Sequence, residues 1–175
     1  RVRSLILQID SPGGSIFGTP EMAAAVHAFA KEKPIVAVSD GTIASAAYWI
    51  GSAANAVYLS GPTVHAGSIG VVMAHEYDPR SSNRTVISAG KYKAIASDAA
   101  PLSAEGKQYL QDRIDYLYSV FVDTVAQHRG VASAQVLQHM ADGRVFVGQQ
   151  AIDAGLADGL ATVDDVAAAL ATDPG

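Results

Sequence analysis

The chain has 175 residues, of which 49% are hydrophobic, and its formal net charge is −5. This length and apolar content suit one α/β domain with a substantial core. The Lys and Arg residues form no basic run, which argues against a nucleic-acid partner, and the absence of cysteine excludes thiol proteases, disulfide scaffolds and thiolate metal sites. No apolar stretch reaches the roughly 20 residues that cross a membrane. We expect residues 1–175 to be a single domain. Because the sequence begins abruptly in an apolar strand, we also expect this domain to be part of a longer chain.

Strand and helix signals alternate along the chain, which predicts an α/β fold with a largely parallel sheet and flanking helices. Short apolar runs bounded by turn residues predict strands, and alanine-rich or amphipathic stretches predict helices. The predicted strands cover residues 5–9, 35–38, 57–59, 68–74, 85–88 and 144–147, with a polar loop at 78–83. The predicted helices begin at Thr19 and Val163 and cover residues 44–54, 103–128, 133–140 and 149–154. Gly130 is expected to end the longest of these helices.

Two turns in the first half of the chain contain the candidate catalytic residues. Ser45 stands among small residues in the first turn of the predicted 44–54 helix, and Gly13 and Gly14 follow the first strand. Parallel sheets place such positions together at the carboxyl ends of their strands. A serine there can attack a carbonyl carbon, while the amides of Ala46 and of either Gly14 or Gly13 stabilise the oxyanion.

A serine nucleophile needs a base, and Lys93 is the candidate. Its neighbours Tyr92, Ala94 and Ile95 are apolar. Burial disfavours the ammonium form of a lysine and so lowers its pKa towards the range in which the amine accepts a proton. We therefore expect Lys93 to be buried, with Lys91 as the competing lysine.

Six motifs occur in a fixed order through nearly the whole chain. They are Leu7-Gln8-Ile9-Asp10-Ser11-Pro12-Gly13-Gly14, Ala44-Ser45-Ala46-Ala47-Tyr48-Trp49, Gly67-Ser68-Ile69-Gly70-Val71-Val72, Gly90-Lys91-Tyr92-Lys93, Asp142-Gly143-Arg144-Val145 and Ala151-Ile152-Asp153-Ala154-Gly155-Leu156. In this set the sequence resembles the family of signal peptide peptidase A and the head-maturation proteases of tailed phages, which have the ClpP/crotonase-like fold. Two departures are alanines at 46 and 47, where the family often has glycines, and a short segment at 76–84.

The resemblance implies a fold of repeated β-β-α units and a serine endopeptidase with a Ser-Lys dyad. It assigns Ser45 as the nucleophile, Lys93 as the base and Ser68 as the hydroxyl that orients the lysine. It further implies extended, apolar or unfolded peptide substrates, of the signal-peptide or capsid and scaffold type, and a homo-oligomer. Neither a cofactor nor a metal is implied.

Other functions are compatible with the same residues. A Ser-His-Asp triad would use Ser45 with His75 or His65, as in Clp-type proteases, but it needs a buried acid such as Asp98 or Asp123. A ring-forming scaffold with a structural Ser45 is the non-enzyme alternative, and an acyl-CoA enzyme using the Gly13 turn is a third. His75-Glu76 begins like a zinc-protease helix, but Pro79 replaces the second histidine, so we expect no metal site.

Overall fold

The computed structural model describes residues 2–80 and 84–172. The chain divides into two compact units, one made of Arg1–Gly70 and Val120–Gly175 and the other of Val71–Ser119. Within the described residues, no helix combines the length and apolar character that a membrane span requires. The expectation of one domain over residues 1–175 stays a prediction.

Strands and helices alternate through the first unit, as the sequence predicts. In chain order the strands are β1 (Leu5–Gln8), β2 (Ile35–Ser39), β3 (Thr42–Ala44), β4 (Ala56–Leu59), β5 (His65–Gly67), β6 (Val145–Val147) and β7 (Gly159–Leu160). The helices are α1 (Thr19–Ala30), α2 (Ala46–Gly51), α3 (Ala104–Arg129), α4 (Ser133–Gln135), α5 (Gln149–Asp153) and α6 (Val163–Thr172), with a π-helical turn at Val136–Met140.

The described residues of the first unit form two sheets. The larger has the order β1-β2-β4-β7 and is parallel throughout, with Leu7 opposite Ala37 and Val38 opposite Tyr58. In the smaller sheet β5 pairs in parallel with β3 and antiparallel with β6. The prediction of an α/β fold with a largely parallel sheet is confirmed.

Apolar side chains from strands and helices form the core of the first unit. Val36 and Val38 of β2 pack with Val166 of α6. The ring of Trp49 in α2 stacks on Phe121 of α3 with centroids 4.3 Å apart, and both side chains are buried. Of the periodic apolar residues of α3, Phe121 and Val125 are buried, as its amphipathic sequence predicts.

An ion pair ties the end of α3 to the segment before β7. Both guanidinium N–H groups of Arg129 reach the Asp158 carboxylate, at 2.8 and 2.9 Å, and Asp158 also accepts the Val57 N–H at 2.7 Å. Burial alone would raise the pKa of Asp158, but these hydrogen bonds reverse the effect and hold it below its usual value.

The second unit, Val71–Ser119, includes the first part of α3 and no strand among its described residues. Tyr92 stacks on Tyr109 of α3 with ring centroids 5.3 Å apart, and Lys91 Nζ lies 2.6 Å from Glu105. No residue of 68–74 or 85–88 belongs to a strand, so the strands predicted there are wrong. In the predicted loop at 78–83, residues 81–83 lie outside the described part of the chain.

The first of these errors has a clear backbone cause. The strand next to β3 runs earlier, as β5, and ends at Gly67 because Gly67 and Ser68 both adopt positive φ, at 108° and 52°. Extended strands require negative φ, so the apolar residues after Ser68 cannot continue the ladder.

Candidate active site

Ser45 lies at the junction of β3 and α2. The helix predicted at 44–54 begins at Ala46, because Ala44 ends the strand β3, so Ser45 is the N-cap of α2 and not part of its first turn. Its backbone has φ 52° and ψ −126°, a conformation that favours glycine. The Ser45 N–H donates to the Gly67 carbonyl at 2.8 Å, which fixes this turn to the neighbouring strand. A strained serine between a strand and a helix is typical of a nucleophile held for attack.

Gly13 lies directly against the Ser45 turn. A Cβ added to Gly13 would lie 2.6 Å from Ser45 Cβ, 2.9 Å from the Ala44 carbonyl oxygen and 2.9 Å from the Ala46 amide nitrogen. Its φ of 103° is also one that other residues avoid. Only glycine therefore allows the loop to approach the serine this closely.

The hydrogen bonds of this loop distinguish its two glycine amides. The Gly13 N–H donates to Ser11 Oγ at 3.2 Å, whereas no hydrogen bond within the described residues uses the Gly14 N–H. Ala46 is the first residue of α2, so its N–H has no acceptor inside the helix. Gly14 and Ala46 are therefore the amides that remain available to an oxyanion.

Sequence reasoning missed two residues that fasten the loop to β3. Ser11 forms a parallel bridge with Ile43, its N–H donating to the Thr42 carbonyl at 2.7 Å, and Asp10 Oδ1 accepts the Thr42 N–H at 2.9 Å. A serine two residues before a glycine is a common turn signal, so this pattern could have identified Ser11 as a residue that stabilises the loop.

An uncharged cavity of about 340 Å³ opens beside the Ser45 turn. Its apolar walls come from Ile9, Ala47 and Ile50, and no charged side chain lines it. The cavity can accept an apolar side chain of a bound peptide.

Ser68 occupies the strand end next to Ser45. Ala44 and Gly67 are partners in the β3–β5 ladder, so the two serines follow on adjacent strands, which lie about 4.8 Å apart. Ser68 also has φ 52°, and its N–H donates to the Arg144 carbonyl at 2.7 Å. The first unit thus brings together Ser45, Ser68 and the Gly13-Gly14 loop.

Lys93 lies in the second unit, in a series of turns from residue 91 to 96. It lines a cavity of about 580 Å³ with Arg84, Tyr92 and Arg113, and its side chain is exposed. The expected burial of Lys93 is therefore wrong for the isolated chain, because its apolar sequence neighbours do not fold over it. Since Ser45 belongs to the other unit, its pairing with Lys93 stays a prediction.

Lys91, the competing lysine, is engaged elsewhere. Its amine is hydrogen-bonded to Glu105, which raises the pKa of Lys91, and it lies 4.9 Å from the centre of the Tyr92 ring. Both contacts favour the ammonium form, the opposite of what a base requires.

His75, the base of the alternative triad, has its Nε2 occupied. Nε2 lies 3.1 Å from the Ser97 carbonyl oxygen, which can only accept, so Nε2 carries the proton. Of the two candidate acids, Asp98 pairs with Arg84 and Asp123 accepts a hydrogen bond from Ser133 Oγ at 2.6 Å.

In the described part of the chain, no three His, Asp or Glu side chains are grouped to hold a metal ion.

Three curated relatives carry protease or phage names. A protein named as a protease in Methanocaldococcus jannaschii is 37% identical over 169 residues, covering 94% of this chain and 54% of the relative. The head-tail preconnector protein of Enterobacteria phage P21 is 33% identical, covering 98% and 35%. The chloroplastic serine protease SPPA of Arabidopsis thaliana is 31% identical, covering 90% and 24%. The chain thus spans about half or less of the length of these relatives.

Among solved structures, a mutant of a membrane-bound stomatin-specific protease superposes with a TM-score of 0.61. The match covers 94% of this chain and 67% of that one at 14% identity, which is evidence for the fold alone. Residues 27–175 match the sequence profile of Peptidase family S49. Because the profile covers most of the chain and the three relatives each match at least 90% of it, the chain belongs to peptidase family S49.

Proposed function

We propose that the chain is a serine endopeptidase in which Ser45 is the nucleophile and Lys93 the base. The single observation that carries the proposal is the Ser45 turn, a strained serine held against a glycine that no other residue can replace. Family membership supports the reaction class. Lys93 is assigned from the motif resemblance and from the engagement of Lys91 by Glu105.

In the proposed reaction, Ser45 Oγ attacks the carbonyl carbon of a peptide bond and its proton passes to the neutral amine of Lys93. The amides of Gly14 and Ala46 stabilise the resulting oxyanion. The Lys93 ammonium then protonates the departing amine as the carbon–nitrogen bond breaks, which leaves an ester on Ser45. Water, deprotonated by Lys93, hydrolyses this ester and regenerates the serine. The Ser68 hydroxyl is proposed to orient the lysine amine.

The proposed substrate is an extended peptide with an apolar side chain next to the cleaved bond. The uncharged cavity beside the Ser45 turn supports this assignment, because burying a charged side chain there would leave it without a partner. Signal peptides and capsid or scaffold proteins are the substrate types that we propose.

We also propose that the active form is a homo-oligomer. Large apolar side chains are exposed over the second unit, among them Val72 at 91% and Ile87 at 94%. A neighbouring copy of the chain would cover such residues and would enclose Lys93, which is exposed in the single chain.

The test combines labelling by a fluorophosphonate with hydrolysis of an apolar peptide. We expect Ser45→Ala to lose both, and Lys93→Ala to lower kcat by at least about 10³-fold while remaining folded. Lys91→Ala is the matched control and should keep activity within a few-fold. If the Lys93→Ala protein is active and the His75→Ala protein is inactive, the result would instead support the Ser-His-Asp triad. If the wild-type chain assembles but does not react with the fluorophosphonate, the result would support the scaffold function.

Mixing the two inactive variants tests how the site is completed. If Ser45 and Lys93 act across a subunit boundary, Ser45→Ala and Lys93→Ala chains should recover part of the activity when they are assembled together. If both act within one chain, the mixture stays inactive.

A further inference from the structure

Tyr48 and Leu156 belong to two of the ordered sequence motifs, and neither has a part in the proposed reaction. Tyr48 lies in α2, shortly after Ser45, and Leu156 lies in the turn that follows α5. The Tyr48 hydroxyl donates a hydrogen bond to the Leu156 carbonyl at 2.9 Å, across 108 positions of the sequence. Both side chains are fully buried. This contact therefore joins the helix that follows Ser45 to a distant part of the chain within the core of the first unit.

The Leu156 carbonyl depends on Tyr48 for its hydrogen bond. Within the described residues, no backbone amide donates to this carbonyl. Burial raises the pKa of Tyr48 above its ordinary value, so the hydroxyl keeps its proton and acts as a donor. A buried carbonyl that loses its donor stays unpaired, because water does not reach it, and an unpaired buried polar group is costly. The fold therefore holds Tyr48 and Leu156 together.

The Leu156 side chain packs against the strand end that holds Ser45. A Cβ added to Gly67 would lie 3.2 Å from Leu156 Cδ1, so the leucine is in direct contact with the Gly67 backbone. The Gly67 carbonyl in turn accepts the Ser45 N–H at 2.8 Å. Leu156 is therefore connected to Ser45 in two ways. Its side chain supports the residue that accepts the Ser45 N–H, and its carbonyl holds the helix that Ser45 caps.

The helix α2 needs such contacts because it is short. It has six residues, and the Ser45 side chain forms no capping hydrogen bond with it. An isolated helix of this length is unstable in water, so contacts with the rest of the fold determine where α2 lies. Its first turn contains both Tyr48 and Ala46, whose N–H is a proposed oxyanion donor. A shift of the Tyr48 anchor would therefore also move Ser45 and the Ala46 amide.

We propose that Tyr48 and Leu156 are positioning residues, which hold Ser45 and the Ala46 amide in the geometry that the reaction requires. This inference rests on the proposed peptidase function. Both side chains are buried and cannot touch a substrate, so they act through the backbone of α2 and of Gly67. Replacing them should therefore slow the reaction of the folded protein far more than it weakens peptide binding, because binding uses the uncharged cavity beside the Ser45 turn.

The test measures kcat and KM for an apolar peptide, the rate of labelling by a fluorophosphonate, and Tm. Tyr48→Phe removes only the hydroxyl oxygen. We expect it to lower both kcat and the labelling rate by about 10-fold or more, at a temperature where the protein is folded, and to leave KM within about two-fold. Leu156→Ala, which keeps the carbonyl but removes the support of Gly67, should give the same selective loss. Leu156→Met restores most of the side-chain volume and should recover the activity.

Tyr58→Phe is the matched control, since it removes the same oxygen from a half-buried tyrosine of β4 that packs on the cluster of Val36, Val38 and Val166. Val166→Ala in α6 is the stability control. Both should lower Tm at most and keep kcat within about two-fold.

A folded Tyr48→Phe protein with the kcat and labelling rate of the wild type would overturn the positioning role and leave the peptidase function standing. An equal loss of kcat in folded Val166→Ala would also overturn it, because the loss would then follow stability alone. A wild-type chain that neither cleaves the peptide nor reacts with the fluorophosphonate would overturn the peptidase function and the positioning role with it.

Discussion

Replacing Gly13 by alanine tests whether the close approach of the glycine loop to Ser45 is required for activity. The new Cβ would lie 2.6 Å from Ser45 Cβ, whereas unstrained carbon atoms are separated by about 3.5–4.0 Å. The loop or the serine must therefore move by about 1 Å. A displacement of that size at a reacting group costs about 10²-fold in rate, and loss of one oxyanion donor costs about 10²–10³-fold. We expect kcat for an apolar peptide to fall by at least about 10²-fold.

The same substitution should also reduce stability, because alanine avoids the φ of 103° at this position. A cost of about 2 kcal/mol corresponds to a Tm lower by about 4–8 °C for a chain of this size. Gly61→Ala is the control, since Gly61 has open space around its Cβ position and no positive φ. A folded Gly13→Ala protein with more than half of the wild-type kcat would refute the reasoning.

Two further predictions concern stability. Asp158→Ala removes the partner of Arg129, whose side chain is only 11% exposed, and should lower the free energy of unfolding by about 2–3 kcal/mol in a urea titration. His128 gives a pH dependence: burial, followed by the nearby His27, lowers its pKa to about 4 in the folded chain, against 6.5 for the ordinary side chain. Between pH 6.5 and 4 the unfolded chain therefore binds a proton that the folded chain does not, so stability falls as the pH falls. Because the ring is half-exposed, we expect this loss to be about 1–2 kcal/mol.

Each of these two stability predictions has a control. Arg129→Ala combined with Asp158→Ala should cost less than the sum of the two single changes, and simple additivity would show that the pair is not coupled. For the pH effect, urea titrations at pH 7 and pH 4.5 are compared between the wild type and His128→Gln. The carboxylates titrate in both proteins, so only the difference reports on His128, and equal losses would contradict the prediction.

The long elements could be predicted because their periodicity extends over many residues. The helix predicted at 103–128 is α3, ended by Gly130 at φ 65°, and the first two predicted strands are β1 and β2. The strands β3, β5 and β7 have two or three residues each, too few to show a periodicity. Their existence depends on pairing with partners distant in sequence, which local patterns do not contain.

The candidate site shows the same division between local and tertiary information. Gly13 and Ser45 are identified by turn chemistry and motif order, and the structure places them in contact. Whether Lys93 is buried depends on which residues pack over it in the folded chain, and not on its neighbours in sequence. The prediction of burial from its apolar sequence neighbours was therefore wrong. His27 and His128 lie about a hundred positions apart in the sequence, and only the folded chain stacks their rings.

The backbone angles of Ser45 have a consequence for protein engineering. Glycine adopts φ 52° and ψ −126° without penalty, so a search for thermostable variants would favour it at position 45. The chain instead keeps a residue with a hydroxyl at a cost of about 1–3 kcal/mol. If Ser45 is the nucleophile, as we propose, libraries selected on melting temperature alone would enrich inactive sequences, and position 45 should be held constant in any such selection.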